Sequence, residues 1–140
     1  MIKRILLVMT MWLLVMSMAF QHPPPITEIE IIETHQDIAR RLAKDKYRLV
    51  CGIIEVESNW NEKAISRTGD YGLMQINKRT WQKHFDWDRI LEPEYNISAG
   101  LYILELCLEK SRGDIFRALI YYNGSGKYPP KVLKKMENYQ

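Results

Sequence analysis

The chain has 140 residues and a mass of 16.6 kDa, a length that fits one compact domain and leaves no room for a second. With 46% apolar residues, 26% charged residues, seven Gly and six Pro, it is neither a disordered chain nor a collagen-like or mucin-like repeat. Setting aside Lys3 and Arg4 leaves 18 of the 20 bases against 17 acids, too even a balance to argue for a nucleic-acid surface.

The first twenty residues differ from the rest. Lys3 and Arg4 form a basic start, and residues 5–20 are apolar apart from Thr10, Ser17 and the indole nitrogen of Trp12. This is the pattern of an export signal, with the small residues Ser17 and Ala19 suitably placed for a cut after Ala19. An uncleaved membrane anchor through residues 5–20 is the alternative, because a span needs about twenty apolar residues and tilt or bilayer thinning can make up the shortfall. Residues 1–19 are therefore read as signal or anchor, residues 20–26 as a Pro-rich linker, and residues 27–140 as the working domain, outside the cytoplasm. Pro23, Pro24 and Pro25 forbid a continuing helix in that linker.

Beyond the linker the pattern is helix after helix. Residues 27–44 space Ile29, Ile32, Ile38 and Leu42 at roughly a helical period, with Thr34 and His35 a candidate break between two shorter helices. A second helix is predicted over 47–58. Within it Val50, Ile53, Ile54 and Glu57 fall at i, i+3, i+4 and i+7, on one face. Residues 59–72, rich in Asn, Ser, Thr, Gly and Asp, read as a loop with a short hairpin around Gly69 and Asp70. Further helices are predicted over 78–84, 93–110 and 114–122, the last capped by Asp114 and ended by Gly124. After Pro129 and Pro130, residues 131–138 are predicted to form a basic helix. The expected fold is mainly α, a small helical domain with a loop-lined cleft.

Cys51 and Cys107 allow one disulfide, which export permits. Cys107 also lies on the apolar stripe of Ile97, Leu101, Leu104 and Leu108, so a buried free thiol is equally consistent. No Cys or His spacing suggests a metal site. The three histidines, His22, His35 and His84, fall in a linker, on a polar helix face and in a loop-like segment, which gives a Cys-His nucleophile little support.

Chemistry rests most naturally on Glu57, which ends an otherwise apolar stripe. A carboxyl facing apolar surroundings loses solvation as an anion, so its pKa rises and it can hold a proton near neutral pH. A general acid needs this to protonate the leaving oxygen of a glycosidic bond. The plainer alternative is a helix-end glutamate in a salt bridge or in water. Glu55 lies about 200° round the axis and cannot face the same cleft. If the stripe faces the core, Glu55 is solvated.

Glu57-Ser58-Asn59-Trp60-Asn61, followed by Ala64, Ser66, Gly69 and Gly72-Leu73-Met74-Gln75-Ile76, resembles the soluble lytic transglycosylase (SLT) domain, of goose-type lysozyme-like fold. Asn96-Ile97 with Gly100 and Tyr102 is similar to the family's helix motif. Ala118 through Tyr121-Tyr122-Asn123-Gly124 is similar to its Ala-Tyr-Asn-Ala-Gly motif, and Tyr128 with Lys131-Val132 to the segment that follows. The resemblance covers residues 47–133.

The resemblance implies cleavage of the bond between N-acetylmuramic acid and N-acetylglucosamine in peptidoglycan, without metal or cofactor. One glutamate would act as acid and then base, leaving 1,6-anhydro ends; that position is Glu57. Ser66, Gln75 and Tyr122 match cleft-lining positions of the family, with Ser66 otherwise a turn residue. Met74 and Gly72 read as cleft wall and close-approach backbone, and Asn123 as a binding or turn residue. Trp60, Trp81 and Tyr121 offer flat faces for sugar rings or belong to the core.

Asp70 departs from the family pattern. Asp70-Tyr71-Gly72 with Gln75-Ile76-Asn77 is similar to the chicken-type lysozymes, in which the aspartate before Tyr-Gly is a second catalytic carboxylate. Paired with Glu57 at about 5 to 5.5 Å, it would permit retaining hydrolysis. The shorter loop and missing cysteine pattern put this second to the transglycosylase, and a catalytically silent wall-binding assembly component third. By analogy the partners are peptidoglycan strands and a secretion, conjugation or pilus machine, in the periplasm or cell envelope, with no nucleic acid. Lys127, Lys131, Lys134 and Lys135 suit an acidic wall or partner, or a solvated helix face.

Overall fold

The computed structural model describes residues 32–140. The export signal or anchor, the linker and the start of the helix expected from residue 27 lie outside the described residues. The elements are α1 (His35–Ala43), a 3₁₀ turn (Lys44–Lys46), α2 (Tyr47–Glu57), β1 (Asp70–Tyr71), β2 (Ile76–Asn77) and α3 (Lys78–Trp81). A second 3₁₀ turn (Trp87–Arg89) then leads into α4 (Pro93–Lys110), α5 (Ile115–Asn123) and α6 (Tyr128–Met136). Among the described residues no helix is long and apolar enough to cross a membrane.

Local chemistry accounts for the helix ends. The Thr34 hydroxyl accepts from Asp37 N at 3.2 Å and the Asp37 carboxylate accepts from Thr34 N at 3.0 Å, a reciprocal cap that starts α1. The break expected at Thr34 and His35 is therefore a helix start. Asp114 caps α5 by accepting from Arg117 N at 3.0 Å, and Gly124 ends it in the left-handed conformation, as expected. Helix α6 corrects the sequence reading. Pro129 and Pro130 fall inside its first turn, where their missing N–H groups have no intrahelical acceptor to lose, so the helix begins at Tyr128 and not after the prolines. Helix α3 is also shorter than expected, ending at Trp81 in a turn closed by His84 N donating to Trp81 O at 2.9 Å.

Helix α2 is the centre of the core. Leu49, Val50, Cys51, Ile53 and Ile54 are all buried, and α6 lies directly against α2 at Gly52. A Cβ at Gly52 would sit 2.8 Å from the Val132 carbonyl oxygen and 3.1 Å from Met136 N. Both cysteines are free thiols, so the possible bridge is not formed. Burial pushes the Cys51 thiol up to about 11, which leaves it inert as a nucleophile.

The loop after α2 folds into two short antiparallel pairings. Ile65 bridges to Tyr71 across the turn containing Gly69, where the hairpin was expected, and Asp70 and Tyr71 then pair with Asn77 and Ile76. One buried side chain on α4 fastens this hairpin to the core. Asn96 accepts from Met74 N at 2.8 Å and donates to Ile90 O at 2.7 Å and Tyr71 O at 3.0 Å. Gly72, at φ +76°, lets the hairpin approach so closely that a Cβ there would lie 2.3 Å from the Asn96 amide nitrogen. The hairpin is thus held as one wall of a cleft whose other walls are helices.

Candidate active site

The cleft has a volume of about 410 Å³ and is lined by the end of α2, the hairpin, Trp81 of α3, Ile103 of α4 and the end of α5. Glu57 is the last residue of α2 and is half-buried, because the helical period that sends Val50, Ile53 and Ile54 into the core carries its side chain to the core's edge. Burial raises its pKa above the ordinary carboxylate value, and the negative charge of Asp70 adds to the rise. The nearby Tyr128 hydroxyl and Asn123 amide pull the other way without cancelling the burial.

Asp70 lines the same cleft in the opposite condition. Its carboxylate accepts from Ser66 Oγ at 2.6 Å, from Asn77 Nδ2 at 2.7 Å and from the Thr68 hydroxyl. Burial alone would raise its pKa, but these three donors outweigh it and hold the group below the ordinary range. Two carboxyls in one cleft are thereby driven apart, one toward holding its proton and one toward losing it.

Of the other expected residues, Gln75, Tyr122 and Asn123 line the cleft. Gln75 sits at φ +49°, and its Nε2 donates to Gly72 O at 2.9 Å and Ala64 O at 3.2 Å, which commits the amide nitrogen to the loop backbone. Tyr122 donates its hydroxyl proton to Met74 O at 2.9 Å, and its ring stacks on that of Tyr128 with centroids 6.4 Å apart. Asn123 is exposed beside Glu57, and the turn after it is made by Gly124.

Two expected binding residues do not line this cleft. Met74 is fully buried against Gly100 and supports the site from behind, through its backbone bonds to Asn96 and Tyr122. Ser66 works within the hairpin turn, accepting from Asp70 N at 3.0 Å and Thr68 N at 3.2 Å while donating to Asp70, so the turn reading of this residue fits the geometry. Among the three aromatics, Trp81 alone lines the cleft. Trp60 is tied to the Tyr139 hydroxyl at 2.9 Å, and Tyr121 lies under the Lys110 ammonium at 4.3 Å. Glu55 does face away from the cleft, but it is not solvated: Lys135 Nζ at 2.7 Å and the Tyr139 hydroxyl at 2.8 Å cover it.

Sequence reasoning missed Tyr128 as a site residue. Its hydroxyl is buried without a hydrogen-bond partner, beside Glu57. The available signal was a tyrosine ahead of two prolines that can open a helix, which aims the first turn of α6 at the end of α2. Asn77 and Thr68 were also missed, and both hold Asp70. Among the described residues no cluster of His, Cys, Asp or Glu could hold a metal ion.

A helical domain that sets a half-buried glutamate at a helix end across from a small hairpin has the lysozyme-like architecture, as expected from the sequence. The backbone superposes on the 70 kDa soluble lytic transglycosylase SLT70 of Escherichia coli with a TM-score of 0.55 at 24% identity, over 72% of this chain and 18% of that one. The chain belongs to the transglycosylase SLT domain family, whose model matches residues 37–138. It is 32% identical over 99 residues to the transglycosylase of Enterobacteria phage PRD1, covering 64% of this chain and 37% of that protein. It is 36% identical over 83 residues to membrane-bound lytic murein transglycosylase F of Histophilus somni (strain 129Pt), covering 55% of this chain and 17% of that protein. The chain thus matches well under half the length of either relative.

Proposed function

We propose that the chain is a peptidoglycan lytic transglycosylase that cuts the β-1,4 bond between N-acetylmuramic acid and N-acetylglucosamine and leaves 1,6-anhydro ends. The observation that carries this reading is Glu57, half-buried in a cleft, with its pKa raised. Protonated Glu57 gives its proton to the glycosidic oxygen as the C1–O bond breaks, and the substrate's own N-acetyl oxygen stabilises the charge developing at C1. The Glu57 carboxylate then takes the proton of the C6 hydroxyl, whose oxygen closes on C1. Glu57 ends protonated again and no water is consumed.

The surrounding residues support these two roles. Tyr128 and Asn123 flank the carboxyl, Gln75 and Trp81 offer an amide and a flat ring to the sugars, and Tyr122, its hydroxyl bonded to Met74 O, braces the hairpin wall. Asp70 favours the protonated form of Glu57 through its charge. Hydrolysis with Asp70 as second carboxylate is the competing reading, since both acids line one cleft; the three donors on Asp70 weaken it as a nucleophile. The basic and apolar residues 1–20 support export to the periplasm or cell envelope. A secretion, conjugation or pilus machine as partner rests on analogy with small exported enzymes.

Digestion of purified sacculi tests the reading. We expect anhydro-ended muropeptides; reducing ends would establish the hydrolase, and no release by folded protein a silent wall-binding component. Glu57→Gln should abolish release, whereas Asp70→Asn should largely spare it.

A further inference from the structure

We propose that Tyr139 is a positioning residue for Glu57, acting from the far side of α2 through a hydroxyl that links Trp60 to Glu55 and so clasps the stretch of chain that carries the acid; the inference rests on the function proposed above. Trp60 Nε1 donates to the Tyr139 hydroxyl oxygen at 2.9 Å, and that hydroxyl donates to the Glu55 carboxylate at 2.8 Å. Glu57 lies between the two residues so joined.

The turn that follows Glu57 needs such a hold. Asn59 at φ +49° and Trp60 at φ +64° are, among the described residues, the one place where two successive non-glycine residues enter the left-handed region. That backbone costs free energy, most of all for a bulky side chain such as Trp60, and it persists only where its surroundings fix it. Backbone bonds supply part of the hold, from Ser58 N to Ile54 O at 3.0 Å and from Asn59 N to Glu55 O at 3.2 Å. The relay adds a side-chain hold by tying Trp60 to the carboxylate of that same Glu55.

Tyr139 is itself fixed. Turn bonds from Glu137 N, Asn138 N and Tyr139 N to Lys134 O, Lys135 O and Met136 O carry the chain on from α6. The Tyr139 ring meets Tyr47 edge-on at 6.3 Å and Trp60 at 6.1 Å between centroids. Burial, together with donation to Glu55, pushes its hydroxyl up to about 12, so it stays protonated and keeps donating across the neutral range. Lys135 Nζ holds the other Glu55 oxygen at 2.7 Å, which keeps the acceptor charged and in place. Asp70 and Tyr128, which act on Glu57 from the hairpin and from α6, are no part of the relay.

Tyr139→Phe removes the link and keeps the ring. A released turn lets water reach Glu57 and lowers its raised pKa. We expect kcat on soluble peptidoglycan strands to fall about three- to tenfold with KM changed less than about twofold, and the alkaline limb of the pH–rate profile to move to lower pH. Trp60→Phe breaks the same link, so the double variant should lose no more than the larger of the single losses. Carboxyl NMR of isotopically labelled glutamate, with the Glu57 resonance identified by its loss in Glu57→Gln, should show Glu57 titrating lower in Tyr139→Phe than in the parent. These results support the brace. An unmoved Glu57 titration and pH limb, even with a lowered melting temperature, would reduce Tyr139 to packing and overturn it, as would a rise in KM alone or additive losses in the double variant. Absence of anhydro products from the parent protein would instead overturn the proposed reaction, with the Glu57 titration still deciding the brace.

Discussion

The Glu57 carboxyl and the Asp70 carboxylate are shifted in opposite directions because burial prevails at the first while three donors prevail over burial at the second. Transfer of a proton to the leaving oxygen requires protonated Glu57, so activity should fall as pH rises through its elevated pKa. Asp70→Asn removes the neighbouring negative charge, which lowers the Glu57 pKa and moves the alkaline limb of the pH–rate profile to lower pH. An unmoved limb would show that the two groups are uncoupled. At Tyr128 the buried, unpartnered hydroxyl makes a second case. Tyr128→Phe removes only that oxygen, and we expect kcat to drop about 10- to 100-fold with KM nearly unchanged, as for an oriented acid–base group that loses its positioning.

At the scale of elements, the cleft depends on two close approaches. Gly52 admits α6 against α2, and a methyl group there would lie 2.8 Å from a backbone carbonyl that has no rotamer to escape into. Gly52→Ala should therefore destabilise the fold by about 1–3 kcal/mol, and because α6 carries Tyr128 the loss of activity should exceed the loss of folded protein. Thermal denaturation monitored alongside muropeptide release checks both halves. Asn96 is the other fastening. Asn96→Ala strips partners from Met74 N, Ile90 O and Tyr71 O at once, and at about 1–3 kcal/mol for each buried group left unsatisfied it should loosen the hairpin or unfold the chain. Faster amide exchange in residues 70–77 than in α2 would be the signature of the milder outcome.

Across the whole molecule, the same charges couple folding to pH. The raised pKa of Glu57 means that the folded state holds its proton more tightly than the unfolded chain, so its contribution to stability is present at low pH and lost as pH rises through the folded value. Asp70, with a lowered pKa, contributes above its unfolded value and loses that contribution as pH falls through the folded one. Glu57→Gln should then be more heat-stable than the parent at neutral and alkaline pH while being inactive, the pattern of a site whose function is held at a cost to stability. A lower melting temperature for this variant at pH 8 would contradict the desolvated setting of Glu57.

Helix periodicity and cap chemistry are local, and so Val50, Ile53, Ile54 and Glu57 on one face, the Asp114 cap and the Gly124 stop were all legible in the sequence by itself. The ordered motifs from Glu57 to Gly124 likewise carried the family. What the sequence could not reveal were facts about which atoms meet across distant segments. The turn role of Ser66, the burial of Met74 beneath Gly100, the cover of Lys135 and Tyr139 over Glu55, and the arrival of Tyr128 at Glu57 each depend on packing. Only tertiary structure decided them, because burial and hydrogen bonding are properties of a neighbourhood assembled by the fold and not of a residue's place in the chain.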